Sequence, residues 1–108
     1  VGKLPWAPLF DGANIWVTNA YDNTVTELRA SDGTVLGTFP TGKGPAGIAF
    51  DGTNIGVSNE SDNTVSKLRA SDGANLGVFP FGIRPNNIVY DGSSIWVTNS
   101  QDTTVSRF

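Results

Sequence analysis

Short apolar runs and polar turn clusters alternate along the whole chain. Leu9-Phe10, Ala49-Phe50 and Val89-Tyr90 each stop at Asp-Gly, a pair that tolerates the positive φ of a tight turn, and predict a first strand, A. Residues 14–19, 54–59 and 94–99, of which NIWVTN is the first version, are β-branched and aromatic residues bounded by polar ones and predict strand B. Tyr21-Asp22-Asn23, Ser61-Asp62-Asn63 and Gln101-Asp102-Thr103 supply side chains that hydrogen-bond their own backbone in turns. Strand C follows at residues 24–30, 64–70 and 104–108. After Ser31-Asp32-Gly33 and Ser71-Asp72-Gly73, strand D follows at 35–39 and 75–79. Residues 1–8 read as a Gly/Pro-rich loop, and Pro40, Pro45, Pro80 and Pro85 flank strands instead of lying inside them, because proline cannot donate to a ladder. No window keeps a helical period.

The pattern is one unit written three times. Asp11-Gly12 recurs at Asp51-Gly52 and Asp91-Gly92, an interval of 40 residues, and the first two copies agree at 24 of 40 positions. That period matches a four-stranded propeller blade, so the expected fold is an all-β propeller of about three antiparallel blades forming one segment over 1–108. The repeats are 1–40, 41–80 and 81–108, the last without its outermost strand. Propellers close with four to eight blades, so the ring is expected to be completed by oligomerisation, with a six-bladed dimer favoured. The alternative is a fragment of a longer propeller. The chain begins at Val1 and contains no methionine, which fits a processed or excised form.

Composition narrows the chemistry. The 108 residues include no cysteine and no histidine, which removes thiolate chemistry, the commonest metal ligand and the usual general base. A net charge of −3 argues against nucleic acid, which needs a basic stripe. No stretch reaches the roughly 20 apolar residues of a membrane-spanning helix, so membrane insertion is not expected. Carboxylates remain, yet Asp11, Asp51, Asp91, Asp22, Asp62, Asp102, Asp32 and Asp72 all stand in repeated turn slots. A turn-forming aspartate recurs with its turn; a catalytic acid has no reason to. Glu27 and Glu60 are the non-repeated acids; Glu27 shares its strand slot with Lys67 and Arg107, which reads as solvent-facing. The calcium-loop spacing and the phosphate-loop pattern with its following helix are both missing, so no metal and no cofactor are expected.

Variation among the copies is uneven. Antiparallel order sends the D-to-A and B-to-C connections to one end of each blade and the other turns to the opposite end. The second end hardly varies, whereas the first carries Leu4, Gly44 and Arg84 in one slot and Trp6, Ala46 and Asn86 in another. This loop rim is the candidate recognition surface, with Trp6, Tyr21, Lys43, Glu60, Phe81, Arg84, Asn86 and Gln101 as candidate contacts for a protein or small-molecule ligand. Inside the strands, Gly56 stands where the other copies have Trp16 and Trp96. The space beside it is expected to be filled by a bulky neighbour, Trp6 being one candidate, or to form a small pocket.

The second repeat, GPAGIAFDGTNIGVSNESDNTVSKLRASDGANLGVFPFG, resembles the YVTN-type propeller repeat, related to NHL and streptogramin-lyase-like propellers, and NIWVTN stands at the name-giving motif. The resemblance spans the chain and implies a propeller acting as a binding module or surface protein, with a secreted, periplasmic or cell-surface setting. WD40 repeats fit less well, since neither Gly-His nor Trp-Asp occurs, and kelch repeats are longer. Lyase members of the wider group use histidine and a divalent metal, which this chain has no histidine to reproduce. The expectation is a non-catalytic, self-assembling scaffold; the competing readings are a lyase- or hydrolase-like propeller enzyme and a repeat fragment without independent activity.

Overall fold

A computed structural model describes residues 2–80, 84–99 and 104–107. Eleven strands run in chain order: β1 (Pro5–Phe10), β2 (Asn14–Asn19), β3 (Thr24–Arg29), β4 (Val35–Pro40), β5 (Pro45–Phe50), β6 (Asn54–Asn59), β7 (Thr64–Arg69), β8 (Asn75–Pro80), β9 (Pro85–Tyr90), β10 (Ile95–Asn99) and β11 (Thr104–Arg107). They form three antiparallel meanders, β1 to β4, β5 to β8, and β9 to β11. The first strands β1, β5 and β9 lie against one another and carry the contacts between sheets. These are propeller blades set side by side.

Turn chemistry explains where the strands end. Asp11 Oδ1 accepts the Ala13 and Asn14 amides at 2.9 and 2.7 Å, and Asp51 and Asp91 repeat the arrangement. Gly12 follows at φ +97°, a conformation that a side chain at this position would strain. At the other end of β2, buried Asn19 donates to Thr24 Oγ1 and Thr26 Oγ1 at 3.1 and 2.8 Å, tying the second strand to the third. Asn59 repeats the tie on Thr64 and Ser66.

Strand A is longer than its apolar run suggests. β1 starts at Pro5, inside the stretch that reads as loop, because a bulge between Pro5 and Pro8 is sealed by a side chain from the neighbouring strand. The Thr18 hydroxyl accepts the Ala7 amide at 3.0 Å and donates to the Ala46 carbonyl of the next blade at 3.0 Å. Ser58 does the same with the Gly47 amide and the Asn86 carbonyl, each at 2.9 Å. One hydroxyl thus mends a bulge and ties two blades together. Pro8 accordingly lies inside a strand.

Alternation along β2 gives each blade two distinct faces. Trp16, with Val25, points to the second blade and packs in one cluster with Ile48, Ile55, Val57 and Leu68; its ring lies 5.8 Å from that of Phe39. Between the second and third blades a smaller cluster holds Ala49, Val65, Ile88, Ile95 and Val97. Trp96, equivalent to Trp16, meets no further blade among the described residues and is 37% exposed. On the opposite face of the first blade Ile15, Val17 and Leu28 are half-buried, whereas their equivalents Ile55, Val57 and Leu68 are fully buried.

Two sequence readings need correction. Trp6 does not fill the space beside Gly56; it is 65% exposed at the loop rim. Ile88 comes closest instead, its Cδ1 3.1 Å from where a side chain on Gly56 would begin, and a cavity of about 230 Å³ remains beside the glycine. Glu27 is not solvent-facing: it is 8% exposed and accepts a 2.9 Å hydrogen bond from Asn14 Nδ2. Burial raises the Glu27 pKa above the usual carboxylate value, and the nearby Asp11 charge adds to this against the pull of the Asn14 hydrogen bond.

Candidate functional site

The loop rim is assembled by its own acidic and amide side chains. Asp22 Oδ2 accepts the Lys3 amide and Asp62 Oδ2 the Lys43 amide, both at 2.8 Å, so each B-to-C turn holds the strand-entry loop of its own blade. The adjoining asparagines reach onward. Asn23 Oδ1 accepts the Gly44 amide at 3.0 Å and Asn63 Oδ1 the Arg84 amide at 2.8 Å, linking each turn to the following blade. Leu4, Gly44 and Arg84 share one slot and all adopt positive φ, between 52° and 67°. Asn23 and Asn63 do so at 58°, where asparagine is better tolerated than most residues.

On that frame, four of the candidate contacts converge. Trp6, Tyr21, Glu60 and Asn86 border one open cavity of about 340 Å³, together with Leu4, Ala20, Gly44, Pro45, Ala46 and Ser61. Its walls come from all three blades. Tyr21 is 75% exposed, so two large aromatic rings stand at the mouth with little protein packed over them. Glu60 is held in place: Arg84 pairs with its Oε1, and Asn86 Nδ2 donates to its Oε2 at 2.8 Å. Lys43 is exposed on the same rim but does not border the cavity. Phe81 and Gln101 lie outside the described residues.

Two exposed aromatic surfaces, a fixed carboxylate and its guanidinium partner make a mixed apolar and polar mouth suited to binding. Each described aspartate accepts a backbone amide in its own turn or entry loop, or lies in such a slot. For Asp11, burial raises the pKa, but the Asn14 amide, the Trp16 indole and the Ala13 amide outweigh it and leave the value below normal. Among the described residues no three acidic side chains gather as a metal site.

Solved structures carry the same arrangement of blades. The likeness is one of fold. Hydrazine synthase of Kuenenia stuttgartiensis matches 96% of this chain at TM-score 0.89 and 21% identity. A 6-phosphogluconolactonase-like protein of Bacteroides fragilis NCTC 9343 matches 96% at TM-score 0.85 and 21% identity. A functionally unknown protein of Desulfotomaculum acetoxidans DSM 771 matches 91% at TM-score 0.70 and 23% identity. The chain spans 32%, 34% and 38% of their respective lengths. No family model and no curated protein matches the sequence.

Two further features lie at the opposite end, and sequence comparison of the repeats flags only the second of them, as the small pocket that Gly56 allows. One is buried Glu27, whose partner Asn14 comes from a neighbouring strand. The other is the cavity beside Gly56, bordered by Asp51, Asn54, Ile55, Lys67, Ser93 and Ile95. Its only linear signal is the glycine itself.

Proposed function

We propose that this chain is a non-catalytic propeller scaffold of the YVTN type that completes its ring with a second copy and binds a protein or small molecule through the loop rim. The observation that carries this reading is the match between the two end faces of the blade stack. Trp96 is exposed on one end, and Ile15, Val17 and Leu28 are half-covered on the other. Inside the chain, the equivalent residues Trp16, Ile55, Val57 and Leu68 are packed together and buried. A second copy brings to each end the same partners that the internal interface already uses. Two chains give six blades, within the range that closes a propeller. The converging aromatics of the rim support a binding role, and the engagement of aspartates in turns supports a non-catalytic one.

A second reading has its own support: the matched structures are about three times as long, so the end faces are then covered by further blades of one polypeptide. Sedimentation of the isolated 108-residue chain separates the two. The expected result is a species of twice the 11.4 kDa chain mass, reduced to the single chain by Trp96→Glu. A cooperatively folding monomer overturns the assembly.

A further inference from the structure

The cavity beside Gly56 occupies a place that the other two blades fill with an indole. In the first blade Trp16 Nε1 donates to Asp11 Oδ2 at 2.8 Å, and in the third Trp96 Nε1 donates to Asp91 Oδ2 at 2.7 Å. The second blade keeps the acceptor and lacks the donor. Asp51 Oδ1 takes the Thr53 and Asn54 amides at 2.9 and 2.7 Å, as its equivalents do, while among the described residues nothing meets its Oδ2. Asp51 borders the cavity, as does Ile95, whose side chain packs between the second and third blades.

We infer that this cavity is a binding site for small planar heteroaromatics of the indole class, seated between the second and third blades with the ring N–H donated to Asp51 Oδ2. Size permits it: an apolar protein cavity of about 150 Å³ accepts benzene, and this one measures about 230 Å³. Indole adds a fused five-membered ring to that six-membered one. Polarity selects within the class. A donor facing a carboxylate makes a charge-assisted bond, whereas an aromatic of the same shape with sulfur or N-methyl in that place leaves Asp51 unmet. Lys67 borders the cavity where the first blade has Glu27, so its ammonium adds attraction for the ring face or for an anionic substituent. A free ligand also avoids the close approach to Ile88 Cδ1 that a side chain grown from Gly56 must make. The site lies at the end of the blades opposite the loop rim and does not depend on how the chain assembles.

Calorimetric titration of the intact chain with indole, N-methylindole and benzothiophene tests the inference, with the Gly56 and Ile95 amide resonances reporting where each binds. Indole is expected to bind and shift both resonances, and both analogues to bind about tenfold more weakly or worse, the value of one hydrogen bond to a charged group. Gly56→Trp is expected to abolish binding by filling the cavity. Should that variant not fold, Asp51→Asn keeps the turn-forming oxygen and is expected to bring indole down to the level of benzothiophene. Equal binding of indole and benzothiophene, indole binding that survives Gly56→Trp, or no shift at Gly56 and Ile95 overturns it.

Discussion

Glu27 and Lys67 hold the same strand slot in successive blades, yet only the glutamate is buried, beside Asn14 and near Asp11. Its raised pKa sets the sign of a pH effect. The folded chain holds a proton on Glu27 more firmly than the unfolded chain does, so stability falls as pH rises from the ordinary glutamate value through the raised one. Asp11 works the other way: its lowered pKa gives stability that is present above the ordinary aspartate value and lost on acidification. Glu27→Gln keeps an acceptor for Asn14 Nδ2 and removes the charge. It is expected to stabilise the fold at pH 7 by about 1 kcal/mol, read as a higher urea midpoint, with the gain shrinking toward pH 4. An equal gain at both pH values rules out the charge as the cause. This burial is not legible in the sequence, because a slot shared by Glu, Lys and Arg reads as surface. The turn aspartates are legible, since their partners lie two and three residues away.

At the scale of strands and blades, the hydroxyls of Thr18 and Ser58 serve as both acceptor within a sheet and donor between sheets. Thr18→Val preserves shape and adds a methyl, so a purely apolar interface would gain from it. The expected outcome is a loss of about 1–3 kcal/mol by chemical denaturation, because the Ala7 amide and the Ala46 carbonyl lose their partner together. A neutral or stabilising result removes the hydroxyl from the account of blade cohesion. Strands B, C and D are legible to within one or two residues from β-branched runs between turn signals. The start of strand A is not, because Pro5 and Pro8 argue for a loop and the Thr18 contact that mends the bulge comes from eleven residues further on.

For the molecule as a whole, the division into three blades is legible from the 40-residue period, and the two end faces of the stack show what a neighbouring blade would cover. If a second copy covers them, folding and association are linked, and the thermal midpoint is expected to rise with protein concentration. A midpoint unchanged over a hundredfold range counts against the dimer. The convergence of Trp6, Tyr21, Glu60 and Asn86 is legible from antiparallel order alone, since alternate connections must gather at one end. That Lys43 stays out of the cavity is not, because loop side chains carry no periodic signal.

The hydroxyl clasp between blades also has a polarity. The Thr18 and Ser58 hydroxyls always donate to the carbonyl of the following blade, never the preceding one, so a stack of blades has a donor end and an acceptor end. Two like ends cannot use this bond, so any end-to-end contact that does use it is head to tail. Such an interface is heterologous: it ends when the rotation per blade brings the last end back to the first, and otherwise it runs on into a filament.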